Sequence, residues 1–309
     1  MQKSKIEWTD ATWNPVTGCT RVSAGCDNCY AAPLTKRLAS MGQEKYQGLY
    51  GKGHFNGKVR CHEDALKKPF EWKKPRMVFV NSMSDLFHRD VPFGFIDQVF
   101  AVMSLCPKHI FQILTKRPDR MFEYFDRYSH YPAGLEMRWG EEAASFIQYA
   151  TGHVDFSDNG ILPNVWLGTS VENQATADER IPHLLSCPAG VRFLSCEPLL
   201  EPVDLRERLT IKAVGCMSGF SSDGKQLINE SNTIRIPGIH WVIVGGESGP
   251  GARPMDPDWA RSIRDQCVDA SVPFFFKQWG GVNKRKAGRI LDGRPWDEFP
   301  KATTFPEEA

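Results

Sequence analysis

The chain has 309 residues, a formal net charge of +1 and a composition that is 41% hydrophobic. Its nine tryptophans and nineteen phenylalanines can fill a large core, which fits either one α/β barrel with insertions or two modest domains. The near-zero net charge excludes a strong general attraction to nucleic acid. The sequence shows neither the apolar run of a signal peptide nor a stretch near the roughly 18 apolar residues of a membrane span. We therefore expect a cytoplasmic protein without membrane contact.

The first predicted strand, at 12–17, leads into a loop that carries three cysteines within eleven residues. Pro15 in this strand cannot donate to a β-ladder, so it favours an edge position or a turn. The cysteines of the loop are Cys19, Cys26 and Cys29. Clustered cysteines in a reducing compartment are more typical of metal ligands than of disulfides, and three thiolates leave one metal position open. Residues 30–38 are predicted to form a helix whose first N–H groups lie beside a metal centre on this loop.

Short apolar runs that end in polar residues recur along the rest of the chain, with helical segments between most of them. The predicted strands lie within 77–85, 109–117, 165–172, 191–197, 239–247 and 272–278. The predicted helices lie within 93–106, 117–128, 173–187 and 256–270. This alternation implies parallel strands joined by right-handed helical crossovers, either in a complete or partial (β/α) barrel or in an open sheet. We favour the barrel.

The predicted fold is therefore α/β, a complete or partial TIM-like barrel over residues 1–281. Two stretches interrupt the alternation, at about 129–163 and 205–238, and we interpret them as insertions. Residues 282–309 form a predicted C-terminal extension. Its Asp292-Gly293 pair, flanked by apolar residues, predicts a small hairpin or lid.

Polar residues at the ends of the predicted strands form the second set of candidate site residues. In (β/α) barrels the carboxyl ends of the strands carry the active site. The residues expected to converge there are Asp85, Lys116, Arg117, Ser170, Glu172, Glu197, Glu247 and Lys277. For each one alone, a strand-capping charge that faces water is an equally simple explanation. Their repetition across six strands favours a site.

The cysteine loop after an N-terminal strand resembles that of radical S-adenosylmethionine enzymes. The resemblance implies that Cys19, Cys26 and Cys29 bind a four-iron four-sulfur (4Fe-4S) cluster whose unique iron chelates S-adenosylmethionine. The two-residue gap between the second and third cysteines agrees with that family, whereas the first gap has six residues where three are commonest. Asn28 stands where the family often has an aromatic residue, so Tyr30 is expected to supply the aromatic contact to the cofactor.

The chain resembles more closely, over nearly its full length, a family of phage-associated proteins of unassigned function that carry this three-cysteine motif. The segments that carry this resemblance are 81–88, 114–118, 193–199 and 245–251. This resemblance does not identify a substrate.

The resemblance to radical S-adenosylmethionine enzymes also implies the chemistry. The cofactor is cleaved reductively to a 5'-deoxyadenosyl radical that abstracts hydrogen from a substrate, with an electron donor of the flavodoxin or ferredoxin type. The candidates for binding the cofactor's amino group are Ser82, Ser84 and Asp85. Those for its carboxylate are Lys116, Arg117 and Ser170. Glu172 joins the cofactor-binding set, and the candidate catalytic residues are Glu197, Glu247 and Lys277.

The substrate and the metal both remain open at this stage. Basic residues at the mouth and aromatic rings for stacking suit a nucleobase or nucleic acid, but a small metabolite or a peptide fits equally well. Alternatively, Cys61 or His62 completes a tetrahedral zinc site with the three cysteines. The chain would then be a zinc protein, or an iron-sulfur protein, that binds nucleic acid or acts as a sensor without radical chemistry.

Overall fold

The structure is a computed structural model that describes residues 4, 6–127, 134–149, 161–214, 219–220, 226–227 and 233–301. Its centre is a seven-stranded sheet, curled into a half-barrel and flanked by helices, in which every neighbouring pair of strands is parallel. The strands lie across the sheet in chain order. They are β1 (Ala11–Trp13), β2 (Met77–Val80), β3 (Ile110–Thr115), β4 (Val165–Ser170), β5 (Val191–Cys196), β6 (Trp241–Gly245) and β7 (Phe274–Gln278).

Helices follow most of these strands and flank the sheet. They are α1 (Ala31–Ser40), α2 (Glu63–Leu66), α3 (Phe93–Ser104), α4 (Pro118–Asp126), α5 (Gly134–Ala144), α6 (Gln174–Leu185), α7 (Arg206–Leu209), α8 (Pro257–Asp269) and α9 (Lys284–Ala287). Local capping explains two of the starts. The Asn173 side chain accepts from the Thr176 N–H at the start of α6, and Asp256 accepts from the Asp258 N–H ahead of α8.

Short antiparallel pairs and single helical turns complete the described part. The pairs join Val16–Thr17 to Arg60–Cys61, Tyr50–Gly51 to His54–Phe55, Thr210–Val214 to Thr233–Pro237, and Gly219–Phe220 to Gln226–Leu227. The 3₁₀ turns are Ala24–Cys26, Glu44–Tyr46, Lys68–Glu71 and Ile147–Tyr149. In the described part of the chain, no helix has the length and apolarity needed to cross a membrane.

The two faces of the sheet bury different sets of side chains because successive strand residues point to opposite sides. Alternate residues such as Val78, Val80 and Leu167 pack under the helices in the larger core. The intervening residues form an aromatic cluster on the other face, which includes Phe79, Trp166, Phe193, Trp241 and Phe275. Ser170, Ser195 and Lys277 have the same strand parity as this cluster and lie nearer the carboxyl ends of their strands. The concave face therefore carries an apolar floor below a polar rim.

The six predicted strands and the four predicted helices between them all form, with ends that shift by a few residues. The helix predicted after the cysteine loop forms as α1, one residue later than expected. The strand predicted over 12–17 is divided at Pro15 into β1, which lies at the edge of the sheet, and Val16–Thr17, which pairs with Arg60–Cys61 instead. What the structure establishes is a curled, parallel half-barrel rather than a closed TIM-like barrel.

The stretches interpreted as insertions are described only in part. From 129–163 the structure describes α5, the turn at Ile147–Tyr149 and residues 161–163, while 129–133 and 150–160 lie outside the described residues. From 205–238 it describes α7 and the four strands of two short antiparallel pairs, while 215–218, 221–225 and 228–232 lie outside the described residues. In the C-terminal segment the Asp292-Gly293 turn forms, closed by a bridge between Leu291 and Arg294. Residues 302–309 lie outside the described residues.

Candidate functional site

A cavity at the carboxyl edge of the sheet brings the cysteine loop together with the strand ends. The sequence-predicted residues that line it are Cys19, Cys26, Cys29, Tyr30, Ser82, Ser84, Asp85, Lys116, Arg117, Ser170, Glu197, Glu247 and Lys277. Glu172, which was also predicted, is fully buried and does not belong to the cavity wall. The carboxyl ends of the strands therefore meet at this cavity, as expected. The contacts of each residue distinguish its role.

The three cysteines are partly exposed and open into this one cavity. Burial, followed by the negative charge of Asp85, raises the pKa of Cys19 to about 12. Burial also raises the pKa of Cys29, while the N–H groups of Ala31 and Ala32 at the start of α1 act in the opposite direction. Because metals bind thiolates, loading a metal on this loop would release protons.

The three cysteines of the loop are the candidate donors for a metal centre. Among the described residues, no group of three or more His, Cys, Asp or Glu side chains is arranged to hold a metal ion. In its chemistry the loop nevertheless fits a thiolate-bound centre, since three thiols on one short loop face a shared cavity beside the start of a helix. Cys19, Cys26 and Cys29 are the residues that could hold a cluster or a soft metal.

Asp85 is buried, and its carboxylate is filled by donors from the protein. Oδ1 accepts from the Thr115 hydroxyl at 2.7 Å and the Phe87 N–H at 3.0 Å. Oδ2 accepts from the Lys116 N–H at 3.1 Å and from Arg117 Nη1 at 2.8 Å. Four donors match the roughly four acceptor positions of a carboxylate. The contacts assign Asp85 to holding Arg117 in place.

Arg117 in turn reaches the first residues of the cysteine loop. Its Nη2 donates to the carbonyl oxygen of Thr20 at 3.0 Å and to the Thr20 hydroxyl at 2.7 Å. Its Nη1 lies 3.8 Å from Cys19 Sγ. A guanidinium fixed by a carboxylate therefore brings positive charge to the first cysteine.

Glu172 lies behind the middle of the same loop. Its carboxylate accepts from the Ser23 hydroxyl at 2.7 Å and the Gly25 N–H at 2.9 Å. Lys116 Nζ and Arg180 Nη1 lie 3.6 and 3.4 Å from Oε1. Burial alone would raise the pKa of Glu172, but Lys116, the two loop donors and Arg180 outweigh it and hold the pKa below its ordinary value. Glu172 is thus an ionised anchor for the loop.

Glu247 anchors the loop from the other side. Asn28 Nδ2 donates to its Oε2 at 2.9 Å, and the backbone N–H and Nε of Arg253 donate to the same oxygen, each at 2.9 Å. Arg253 Nη2 donates to Oε1 at 2.6 Å and to the carbonyl oxygen of Ala24 at 2.8 Å. Burial would raise the pKa of Glu247, yet the Arg253 and Asn28 hydrogen bonds lower it. This predicted catalytic carboxylate is occupied by contacts within the protein.

Glu197 and Lys277 form an ion pair in the cavity wall. Lys277 Nζ lies 2.7 Å from each carboxylate oxygen of Glu197, and Gln278 Nε2 donates to Oε1 at 3.2 Å. The two side chains come from the end of β5 and from β7, on either side of β6. Both predicted catalytic residues therefore meet at one point of the cavity.

The hydroxyl groups in the wall make contacts of their own. Ser82 Oγ donates to Asn14 Oδ1 at 3.1 Å, and Ser84 Oγ donates to the carbonyl oxygen of Val16 at 2.8 Å. The Tyr30 hydroxyl donates to the carbonyl oxygen of Ser82 at 2.8 Å. These hydroxyl oxygens keep lone pairs for a ligand. Ser170 is buried with its side chain at the same wall.

Several residues at the site carried no recognisable signal in the sequence. His54 Nε2 donates to the carbonyl oxygen of Cys26 at 2.6 Å, and a short hairpin places it there. The contacts of Asn28 with Glu247 and of Arg253 with Ala24 could not be predicted from the sequence, because each joins residues more than 200 positions apart. Asn81 lines the cavity at a positive φ of 60°.

The two residues considered as a fourth zinc ligand lie elsewhere. Neither Cys61 nor His62 lines the cavity that holds the three cysteines. His62 Nε2 is 2.8 Å from the Thr17 hydroxyl, and the side chain lines a separate surface depression with Arg60 and Asp64.

Fold and site define an α/β protein with a cysteine-lined cavity at the carboxyl edge of a parallel, half-barrel sheet. The chain belongs to the family described as "Protein of unknown function (DUF5131)", whose model matches residues 3–300. Comparison with curated proteins and with solved structures gives no match.

Proposed function

We propose that the chain is an iron-sulfur enzyme of the radical S-adenosylmethionine type. The observation that carries the proposal is that Cys19, Cys26 and Cys29 line the same cavity as the polar strand ends. The three thiolates would hold a 4Fe-4S cluster with one iron position left open to the cavity. The half-barrel would then serve as a partial TIM-like (β/α) barrel, a fold that carries its chemistry at this edge.

When bound, the cluster and S-adenosylmethionine would supply reductive cleavage of the cofactor and hydrogen abstraction from the substrate. Such cleavage consumes an electron, so a donor of the flavodoxin or ferredoxin type is part of the proposal. The chain's own residues would bind the cluster and the cofactor, orient the substrate, and exclude water from the cavity. Trp8, Phe79 and Leu114 give the cavity an apolar inner wall that suits this last task.

Lys116 is the lining cation best suited to a carboxylate of the cofactor. Arg117 and Lys277 each hold a carboxylate within 2.8 Å, whereas Lys116 Nζ lies 3.6 Å from Glu172. Lys116 therefore keeps most of its hydrogen-bonding capacity. Tyr30, Ser82 and Ser84 remain candidates for cofactor contacts, and Asp85 acts through Arg117.

The proposal is tested by purifying the full chain without oxygen and measuring iron, sulfide and zinc. We expect about four iron and four sulfide per chain, and their loss when Cys19, Cys26 or Cys29 is changed to Ser. Cys61→Ser is the matched control, because Cys61 is also partly exposed but does not line the cavity. One zinc without sulfide, or loss of the metal in Cys61→Ser, would overturn the proposal in favour of a zinc site.

A further inference from the structure

The Glu197–Lys277 pair keeps hydrogen-bonding capacity that the protein does not use. The side chains are 18% and 11% exposed, and both line the cavity. An ammonium has three N–H donors, of which Glu197 takes two. A carboxylate has about four acceptor positions, of which Lys277 and Gln278 fill three. One N–H donor of Lys277 and one acceptor position of Glu197 are therefore unused, and they lie side by side.

The Glu197–Lys277 pair is mostly buried in the cavity wall, with its two members on either side of Gly245. A largely buried ion pair adds little net stability, because desolvation offsets the attraction between the charges. Its position in a cavity wall therefore points to a ligand.

The charges in the wall favour an uncharged ligand group at this point. The lining carboxylates are Asp85, Glu197 and Glu247, and the lining cations are Lys116, Arg117 and Lys277. Each has an opposite charge within 3.6 Å. The Glu197–Lys277 pair has no net charge. A charged ligand bound to the pair would lie as close to the member of like charge as to the member of opposite charge.

Two further features define the shape and the polarity of the ligand. Trp8 and Phe79, with ring centroids 4.8 Å apart and ring planes tilted by 54°, and Leu114 give the cavity an apolar wall on which a planar ring can pack. Asn81 is 2% exposed, and its Nδ2 has no hydrogen-bond partner in the described part of the chain. Its Oδ1 accepts from the Val16 N–H at 3.1 Å, which fixes the amide orientation. Asn81 Nδ2 is thus a buried donor without a partner, on a residue that lines the cavity.

We infer that the cavity binds, as substrate, a planar uncharged heterocycle with a lactam edge, such as a guanine or uracil base. The lactam carbonyl accepts from Lys277, and the adjacent ring N–H donates to Glu197. The ring packs on the apolar wall, and Asn81 donates to a second acceptor. The inference rests on the proposed function, because it names the substrate class of the same cavity.

Titration calorimetry on the full chain, purified without oxygen, tests the inference with guanosine and uridine. Their analogues 1-methylguanosine and 3-methyluridine replace the ring N–H with a methyl group. We expect saturable binding of at least one parent nucleoside and a loss of about tenfold or more on methylation. Adenosine is not a suitable probe, because S-adenosylmethionine carries it.

Variants locate the binding. Glu197→Gln and Lys277→Met should each weaken binding about tenfold or more, whereas Glu201→Gln, at an exposed residue outside the cavity wall, should leave it unchanged. If the cavity variants fail to fold, the methylated nucleosides decide the question on the wild-type chain.

Binding of neither nucleoside, equal binding of the methylated analogues, or full binding by the folded cavity variants would overturn the inference. Iron and sulfide measured on the same samples separate the two claims. Nucleoside binding without sulfide would overturn the proposed function alone. A complete cluster without nucleoside binding would overturn the inference alone.

Discussion

The backbone N–H of Gly25 donates to the buried carboxylate of Glu172 at 2.9 Å, across 147 positions of the sequence. This contact ties the centre of the cysteine loop to the end of a central strand. Arg253 and Asn28 tie the same loop to Glu247. The loop is therefore held on two sides by carboxylates that follow β4 and β6.

Glu172→Gln should destabilise the protein strongly. The amide keeps the size of the side chain but removes the charge that faces Lys116 and Arg180, and it leaves Arg180 buried without a partner charge. We expect the free energy of unfolding in urea to fall by about 3–5 kcal/mol, and amide exchange at Gly25 to accelerate. Glu179→Gln, at an exposed site on α6, should change stability by less than about 0.5 kcal/mol. Equal stability of the two variants would contradict the anchoring role.

Arg253→Lys should loosen the other side of the loop. A lysine cannot reproduce the fork that donates to both Glu247 oxygens and to Ala24. The expected cost is about 1–3 kcal/mol, with faster amide exchange over residues 24–28. Arg206→Lys is the matched control, because its contact with Asp204 has the same 2.6 Å length at an exposed site. That change should leave the free energy of unfolding nearly unchanged, and the prediction fails if both variants lose the same stability.

Gly168→Ala should disturb the apolar floor of the cavity. A Cβ at Gly168 would lie 2.5–2.6 Å from atoms of the Phe193 ring, which packs over this glycine. We expect a loss of about 1–3 kcal/mol in urea unfolding. The loss should shrink in a Phe193→Leu background, which a double-mutant cycle measures. Gly94→Ala, in helix α3 with open space around it, should not destabilise the protein, so equal losses at the two glycines would refute the packing argument.

His109 should contribute to loss of stability in acid. Burial, followed by the charge of Lys108, lowers the pKa of His109 from 6.5 to about 4. As pH falls from about 6.5 to 4, the unfolded chain binds a proton that the native state still excludes, so stability declines through this window and is unaffected above it. His109→Gln should flatten the decline in urea midpoints between pH 7 and 4.5. An unchanged slope in His109→Gln would show that His109 does not contribute.

The architecture of the sheet was accessible from the sequence because local signals agree with it. Each of the six later strands is a short apolar run that ends in polar residues, each helix between them has its own apolar spacing, and several of these helices have start signals. Parallel strands share a carboxyl edge, so Lys116, Glu197 and Lys277 could be placed together without coordinates.

The individual roles at this edge could not be predicted in the same way. Glu172 and Glu247 both follow a strand, yet one lies behind the loop and the other meets Arg253 and Asn28. The direction of such side chains depends on contacts made by distant segments, which leave no periodic trace. His54 reaches Cys26 through a two-residue hairpin strand, and a lone histidine in the sequence does not reveal this.

Formation of 5'-deoxyadenosine tests the central claim most directly. The full chain, purified without oxygen and reduced with dithionite, is incubated with S-adenosylmethionine, and the products are separated by chromatography. The account predicts 5'-deoxyadenosine from the wild-type chain and from Cys61→Ser, and none from Cys26→Ser. A wild-type sample that holds four iron and four sulfide per chain but forms no 5'-deoxyadenosine would contradict it.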